Sequence, residues 1–148
     1  SKSLLKALRK NRSESVLWLN GDVVFDSNLF KVIEKYIEKD QSFVCVNNSE
    51  VGDEEVKYNL NKDGFIKDIS KIITDGLGEA VGINFIAKSD VKSFINRLIE
   101  CKDNDYFERG LELSIQKDNL KVLPINISDF RCLEVDFKED LDKANKLF

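Results

Sequence analysis

Histidine is absent from all 148 residues, and that single gap removes a large share of enzyme chemistry. Ser–His and Cys–His nucleophile activation, histidine-bound zinc and imidazole general-base work are excluded together. Any catalysis on this chain has to use carboxylates, lysines, backbone amides and a metal. Cysteine is scarce: Cys45, Cys101 and Cys132 form an odd, widely spaced set without C-x-x-C. A disulfide framework or zinc site is not expected, and a reducing, cytoplasmic setting is. No segment approaches the roughly 18 uninterrupted apolar residues of a membrane span, and the first residues lack a signal peptide's apolar core. An excess of basic charge is missing too. The 23 Lys and Arg are interspersed with 27 Asp and Glu, for a net charge of −4, which leaves no basic stripe for a nucleic-acid backbone.

What remains is ordinary for a globular domain. Apolar residues make up 42% and charged residues 34%, and the length suits one domain with a real core. Strand and helix signals alternate. Leu4, Leu5 and Leu8 suggest a short amphipathic helix, broken by the polar residues 10–14. Val16–Leu19 is an apolar run of buried-strand type. Ser27 is a candidate cap for a helix with Phe30, Ile33, Tyr36 and Ile37 on one face. Residues 43–46 read as a second buried strand with an exit loop over 47–50. The segments 56–60 and 65–69 flank Asn61-Lys-Asp-Gly64, a hairpin signal. Residues 80–86 read as a core strand, and Ser89 or Asp90 then caps a helix facing inward through Val91, Phe94, Ile95 and Leu98. Asn104 is the next candidate cap, ahead of Phe107, Leu111 and Ile115. Residues 121–127 give a strand carrying the only proline, Pro124, which predicts an edge or a bulge. The last helix packs Phe137, Leu141, Ala144 and Phe148. The expected fold is one α/β domain over residues 1–148, a mixed, mostly parallel sheet flanked by helices, with a β-hairpin near 56–69.

Two aspartates carry the chemistry. The apolar strand at 16–19 stops on Asn20-Gly21-Asp22, and a second strand-like segment, residues 131–136, ends on Asp136. In open α/β sheets ligands sit outside the strand ends, where two carboxylates suit a hard divalent cation. Each residue also has a plainer reading. Asn-Gly-Asp makes a tight turn, and Asp136-Phe-Lys-Glu139 has the spacing of a capping box.

Residues 17–26 resemble the first metal-binding segment of the nucleotidyltransferases that activate sugar 1-phosphates and phosphocholine. In that family the strand ends in Gly-Asp and the aspartate holds Mg²⁺. Lys57 and the hairpin ending at Lys71 resemble the segment before the family's substrate-contacting lysine. Residues 78–83, Gly-Glu-Ala-Val-Gly-Ile, are similar to its Gly-Glu-x-x-Gly strand, and Asn104-Asp105-Tyr106-Phe107-Glu108 to its Asn-Asp-Tyr-x-Glu helix start. Residues 134–144 resemble the closing segment that supplies the second metal aspartate. The likeness is collinear over nearly the whole chain.

The resemblance implies a Rossmann-like nucleotidyltransferase fold and transfer of a nucleoside monophosphate from a triphosphate to a phosphorylated acceptor. Mg²⁺ or Mn²⁺ on Asp22 and Asp136 is implied, with Lys71 as a phosphate clamp. Asn20, Gly21, Glu79, Gly82, Asn84 and Glu108 are the substrate-binding candidates. The closing segment leans towards a phosphocholine-type acceptor and a cytidylyltransferase, with a hexose 1-phosphate close behind. The family's Gly-rich nucleotide loop with Arg and Lys has no counterpart here. About 80 to 100 residues, within the size of a full domain, are therefore expected ahead of Ser1. The exposed sheet edge would then favour self-association. A non-catalytic regulatory or oligomerisation domain on the same fold is the alternative, and a regular Rossmann-like or response-regulator-like module is a further rival that the hairpin disfavours.

Overall fold

The computed structural model describes residues 1–10, 13–49, 51–52 and 55–148. Asn11 and Arg12 of the expected polar break, and Glu50 of the expected exit loop, lie outside the described residues. Thirteen elements are described: α1 (Lys2–Leu8), β1 (Val16–Leu19), β2 (Val23–Phe25), α2 (Leu29–Glu38), β3 (Phe43–Asn47), β4 (Lys57–Leu60), β5 (Ile66–Ser70), β6 (Gly78–Ile86), α3 (Lys88–Glu100), α4 (Phe107–Asp118), β7 (Leu123–Asn126), β8 (Cys132–Glu134) and α5 (Lys138–Leu147). Among the described residues no helix is long and apolar enough to cross a membrane.

The main sheet runs β5-β4-β6-β3-β7, and β1 joins on β6. The sheet is mixed, but the expected parallel majority is not found. Only β3 and β7 pair in parallel, while β6 runs antiparallel to β1, β3 and β4. The reason lies in the hairpin. β4 and β5 reverse the chain before β6, so the longest strand enters the sheet centre from the opposite end. The hairpin itself forms as read, with Gly64 at φ 83° in the turn. Pro124 sits on β7, which pairs only with β3 among the described strands, where a missing N–H is tolerated.

Two apolar clusters cover the faces of the sheet. On one face Leu5 and Leu8 of α1, Val91, Phe94 and Leu98 of α3 and Leu111 of α4 pack on Val44, Val46 and Ile86. On the other, Leu29 and Ile33 of α2 pack on Phe43, Cys45, Ile83 and Phe85, with Val23, Phe25 and Cys132 against them. The aliphatic periodicity of the helices thus finds its partner in the sheet. Arg97 of α3 clasps the end of α4, its Nε 2.8 Å from Oδ2 of Asp118.

Helix starts fall a residue or two from the sequence reading. Asn28, Ala87, Tyr106 and Phe137 occupy the cap positions, not Ser27, Ser89 or Asp90, Asn104 and Asp136. Acidic side chains do the capping work from neighbouring positions. Asp26 Oδ1 accepts from the Asn28 backbone N–H at 2.9 Å, and Asp140 Oδ2 accepts from the Phe137 N–H at 3.2 Å. Asp136 is thereby released from the capping role its spacing suggested.

Candidate metal and acceptor site

The site is built where β1 leaves the main sheet. The Asn20 N–H donates to the Gly82 carbonyl at 2.8 Å, and Gly82 stands at φ 73° in β6. A Cβ there would come within 2.7 Å of the Asn20 side chain. Only glycine takes this backbone conformation readily and leaves that room. Opposite Cys45 the register between β3 and β6 shifts, a bulge that bends β6 beside the strand exit.

Beyond the turn, β2 pairs antiparallel with β8, setting Val23 against Glu134 and Phe25 against Cys132. The Val135 N–H donates to the Asp22 carbonyl at 2.9 Å and continues the ladder past β8. Strand alternation turns Glu134 and Asp136 to one side of Val135. Carboxylate oxygens of Asp22, Glu134 and Asp136 lie within 4.8 Å of one another, and all three residues are exposed. None makes an ion pair among the described residues. Burial pushes the Glu134 carboxyl above its ordinary range, and the charges of Asp22, Asp136 and Glu55 add to the effect, while Lys71 opposes it. Three unneutralised carboxylates in this small volume repel one another, and a hard divalent cation with oxygen ligands suits that donor set.

Two hollows flank this cluster. The first is lined by Asn47, Glu55, Glu79, Glu134, Asp136 and Asp140. Glu79 is held at its wall, Oε1 accepting from Asn47 Nδ2 and Oε2 from the Gly52 N–H, each at 3.4 Å. The second lies between the end of β5 and the start of α4 and includes Lys71, Asp105, Tyr106, Glu108 and Arg109. Lys71 Nζ stands 4.5 Å above the Tyr106 ring. Glu108 is 8% exposed and its Oε2 has no hydrogen-bond partner. Burial pushes its carboxyl up to about 7, against the pull of Lys71 and of the terminal amino group and with a further push from Glu134. Lys71 therefore sits within electrostatic reach of both Glu108 and Glu134. The α3–α4 loop that carries Tyr106 is tied down by Asp105, whose carbonyl accepts from the Ser1 amino group at 3.0 Å and whose Oδ2 accepts from the Lys102 N–H at 2.7 Å.

The structure brings Asp22, Asp136, Glu79, Lys71 and Glu108 around this region, and Asn20 and Gly82 shape the strand exit. Gly21 is exposed, and an added Cβ there would meet nothing within 4 Å. Asn84 is not at the clefts. It is fully buried between Trp18 and Val44 in the register, with neither amide atom hydrogen-bonded. Its place on the strand turns it to the face packed by α3. Glu134 was missed by sequence reading. The signal was present in Glu134-Val-Asp136, whose two-residue spacing places both carboxylates on one side of a strand.

With that geometry in place, the class of fold is that of the sugar-phosphate nucleotidyltransferases, as comparison with solved structures shows. Inositol-1-phosphate CTP transferase from T. maritima superposes with a TM-score of 0.72 at 16% identity, over 99% of this chain and 59% of that one. A glucose-1-phosphate thymidylyltransferase from Bacillus anthracis gives 0.69 at 13%, with the same coverage. UTP-bound UGPase from Acinetobacter baumannii gives 0.67 at 14%, over 96% of this chain and 53% of that one. The chain thus spans a little over half the length of these enzymes. No protein-family profile and no curated protein matches the sequence.

Proposed function

We propose that this chain is the acceptor-binding and metal-binding part of a nucleotidyltransferase, which moves a nucleoside monophosphate from a triphosphate to a phosphorylated acceptor and releases pyrophosphate. The observation that carries this reading is the convergence of Asp22, Glu134 and Asp136 on one ribbon, beside Lys71, in a fold of that class. Asp22 and Asp136, joined by Glu134, would hold Mg²⁺ or Mn²⁺. Such an ion, when bound, offsets the negative charge shared by the two phosphate-bearing substrates.

The chain's own residues account for the rest. An acceptor phosphate oxygen attacks the α-phosphorus in line, a P–O bond forms, and the bond to the pyrophosphate leaving group breaks. The nucleophile is already an anion and gives up no proton, so no general base is required, in keeping with a chain that has no histidine. Lys71 reaches the acceptor phosphate as a flexible point charge. Glu79 lines the neighbouring hollow as a candidate contact for acceptor hydroxyls or a cationic group. The acceptor is a sugar 1-phosphate or a phosphocholine-like molecule, with the closing segment favouring the second and a cytidine nucleotide.

A specific observation keeps a second reading in view. No Gly-rich loop with Arg and Lys is present in the sequence, as suits a non-catalytic domain on the same fold. The test is pyrophosphate release by the complete protein, supplied with each of four triphosphates and a panel of phosphorylated acceptors. Release with one pair supports the enzymatic reading. No turnover on any pair supports the non-catalytic one.

A further inference from the structure

Lys71 rests away from the carboxylate cluster it would serve. Its ammonium lies over the face of Tyr106 at 4.5 Å, a contact held by the ring quadrupole, and it makes no ion pair among the described residues. Tyr106 is 61% exposed, a large aromatic ring left to solvent apart from that lysine. The same hollow is walled by Glu108, which is more than nine-tenths buried and carries a carboxylate oxygen without a donor. A buried acceptor left unpaired costs about 1–3 kcal/mol, so it marks a place where a ligand's donor or positive charge is missing. Asp105 and Glu112 add negative charge to the wall, against one cation, Arg109, whose guanidinium is engaged by Glu112. An aromatic face, an unmatched buried carboxyl and a surplus of acid together suit an organic ammonium group. The chain already supplies an ammonium to the first of these features from its own side chain.

We propose that the hollow between Lys71, Tyr106 and Glu108 is a seat for an organic ammonium group, and that Lys71 occupies this seat in the unliganded protein. A ligand carrying both an ammonium and a phosphate takes the seat and sends the Lys71 side chain towards the carboxylate cluster, where the phosphate lies. A neutral acceptor has no charge with which to displace the lysine. The phosphate half of this statement rests on the nucleotidyltransferase reading; the ammonium seat and its self-occupancy do not.

Self-occupancy makes a prediction of opposite sign for two probes. Binding of tetramethylammonium, which has no phosphate, and of phosphocholine is measured on this chain and on Lys71→Gln, Tyr106→Ala and Glu108→Gln. Lys71→Gln removes the competitor. At about 0.5–1 kcal/mol for an exposed cation–π contact, it tightens tetramethylammonium roughly two- to five-fold, while weakening phosphocholine. Tyr106→Ala and Glu108→Gln weaken both. In the parent chain the Lys71 ε-methylene protons, shifted upfield by the Tyr106 ring, return to their ordinary position on addition of tetramethylammonium and not of inorganic phosphate. Unchanged or weaker tetramethylammonium binding in Lys71→Gln overturns the proposal, as does absence of the upfield shift. Lys71 is exposed, so its substitution tests binding and not folding. If the complete protein releases pyrophosphate but neither ammonium probe binds, the seat is wrong and the nucleotidyltransferase reading stands. If the probes behave as stated and no pyrophosphate is released, the seat stands without it.

Discussion

At the scale of single residues, burial decides which polar groups are available for chemistry. Glu108 has a folded-state value raised from 4.5 to about 7. The folded state therefore holds the proton more tightly than the unfolded chain does, and stability falls as pH rises from about 4.5 through 7. The expected loss is on the order of 3 kcal/mol by pH 8, from 1.36 kcal/mol per unit. Glu108→Gln keeps the shape and cannot ionise. Urea unfolding at pH 5 and pH 8 is expected to show a steeper decline for the parent than for this variant, and equal slopes would count against a buried, unpaired carboxyl. Trp18 makes the complementary case. Its ring stacks on Phe94 at 5.6 Å and meets Phe107 edge-on at 5.5 Å, while Nε1 has no partner. Trp18→Phe gives up no hydrogen bond and is expected to cost under about 1.5 kcal/mol, against about 3–5 kcal/mol for Trp18→Ala. A large loss in the phenylalanine variant would show that the indole N–H matters. Trp18 was legible from sequence as core, because it lies inside an apolar strand. Asn84 was not, because a bulge two residues earlier resets which face a β6 side chain takes.

At the scale of elements, the β2–β8 ribbon is the part that turns two distant aspartates into one site. Neither strand exceeds three residues, and sequence reading saw only the second of them. Short strands give too few residues for a period, so β2 left no pattern to count. The capping residues show the same limit. Polar side chains near each helix start announced that a helix begins, but Asp26 and Asp140 reach the exposed N–H groups from outside the predicted cap positions. The ribbon also offers a direct test. Val135→Pro removes the N–H that bonds the Asp22 carbonyl, at a position outside both core clusters. The variant is expected to retain its circular dichroism spectrum and lose divalent-cation binding. Retained binding would show that the ribbon does not set the cluster's geometry. Gly82→Ala acts from the other side, through positive φ and the 2.7 Å approach to Asn20. A destabilisation of at least about 2 kcal/mol in urea unfolding is expected; an unaltered midpoint would mean that β6 and Asn20 give way easily.

At the scale of the whole molecule, the order of motifs along the chain carried more information than any one of them. Gly-Asp at 21–22, Lys71, Gly-Glu at 78–79, the 104–108 helix start and Asp136 are each short and commonplace. Their sequence order matches the spatial order in which β1, β5, β6, α4 and the end of β8 meet around two hollows. The direction of the strands was harder to read, since alternating helix and strand signals suggest parallel pairing until the hairpin reverses the chain. Among the described residues β1 pairs only with β6, which leaves its other edge without a ladder partner. Unpaired edges invite pairing between chains, so concentration-dependent self-association is expected in sedimentation velocity. A monomer at all concentrations would show that the edge is otherwise protected.

The central claim is that Asp22 and Asp136, remote in sequence, act as one cation site. Titration of this chain with Mn²⁺, followed by electron paramagnetic resonance of the free ion, tests it most directly. The account predicts one bound ion per chain, competed by Mg²⁺, and weakened roughly tenfold or more in both Asp22→Asn and Asp136→Asn. Unchanged binding in either variant, or no binding in the parent chain, would contradict it.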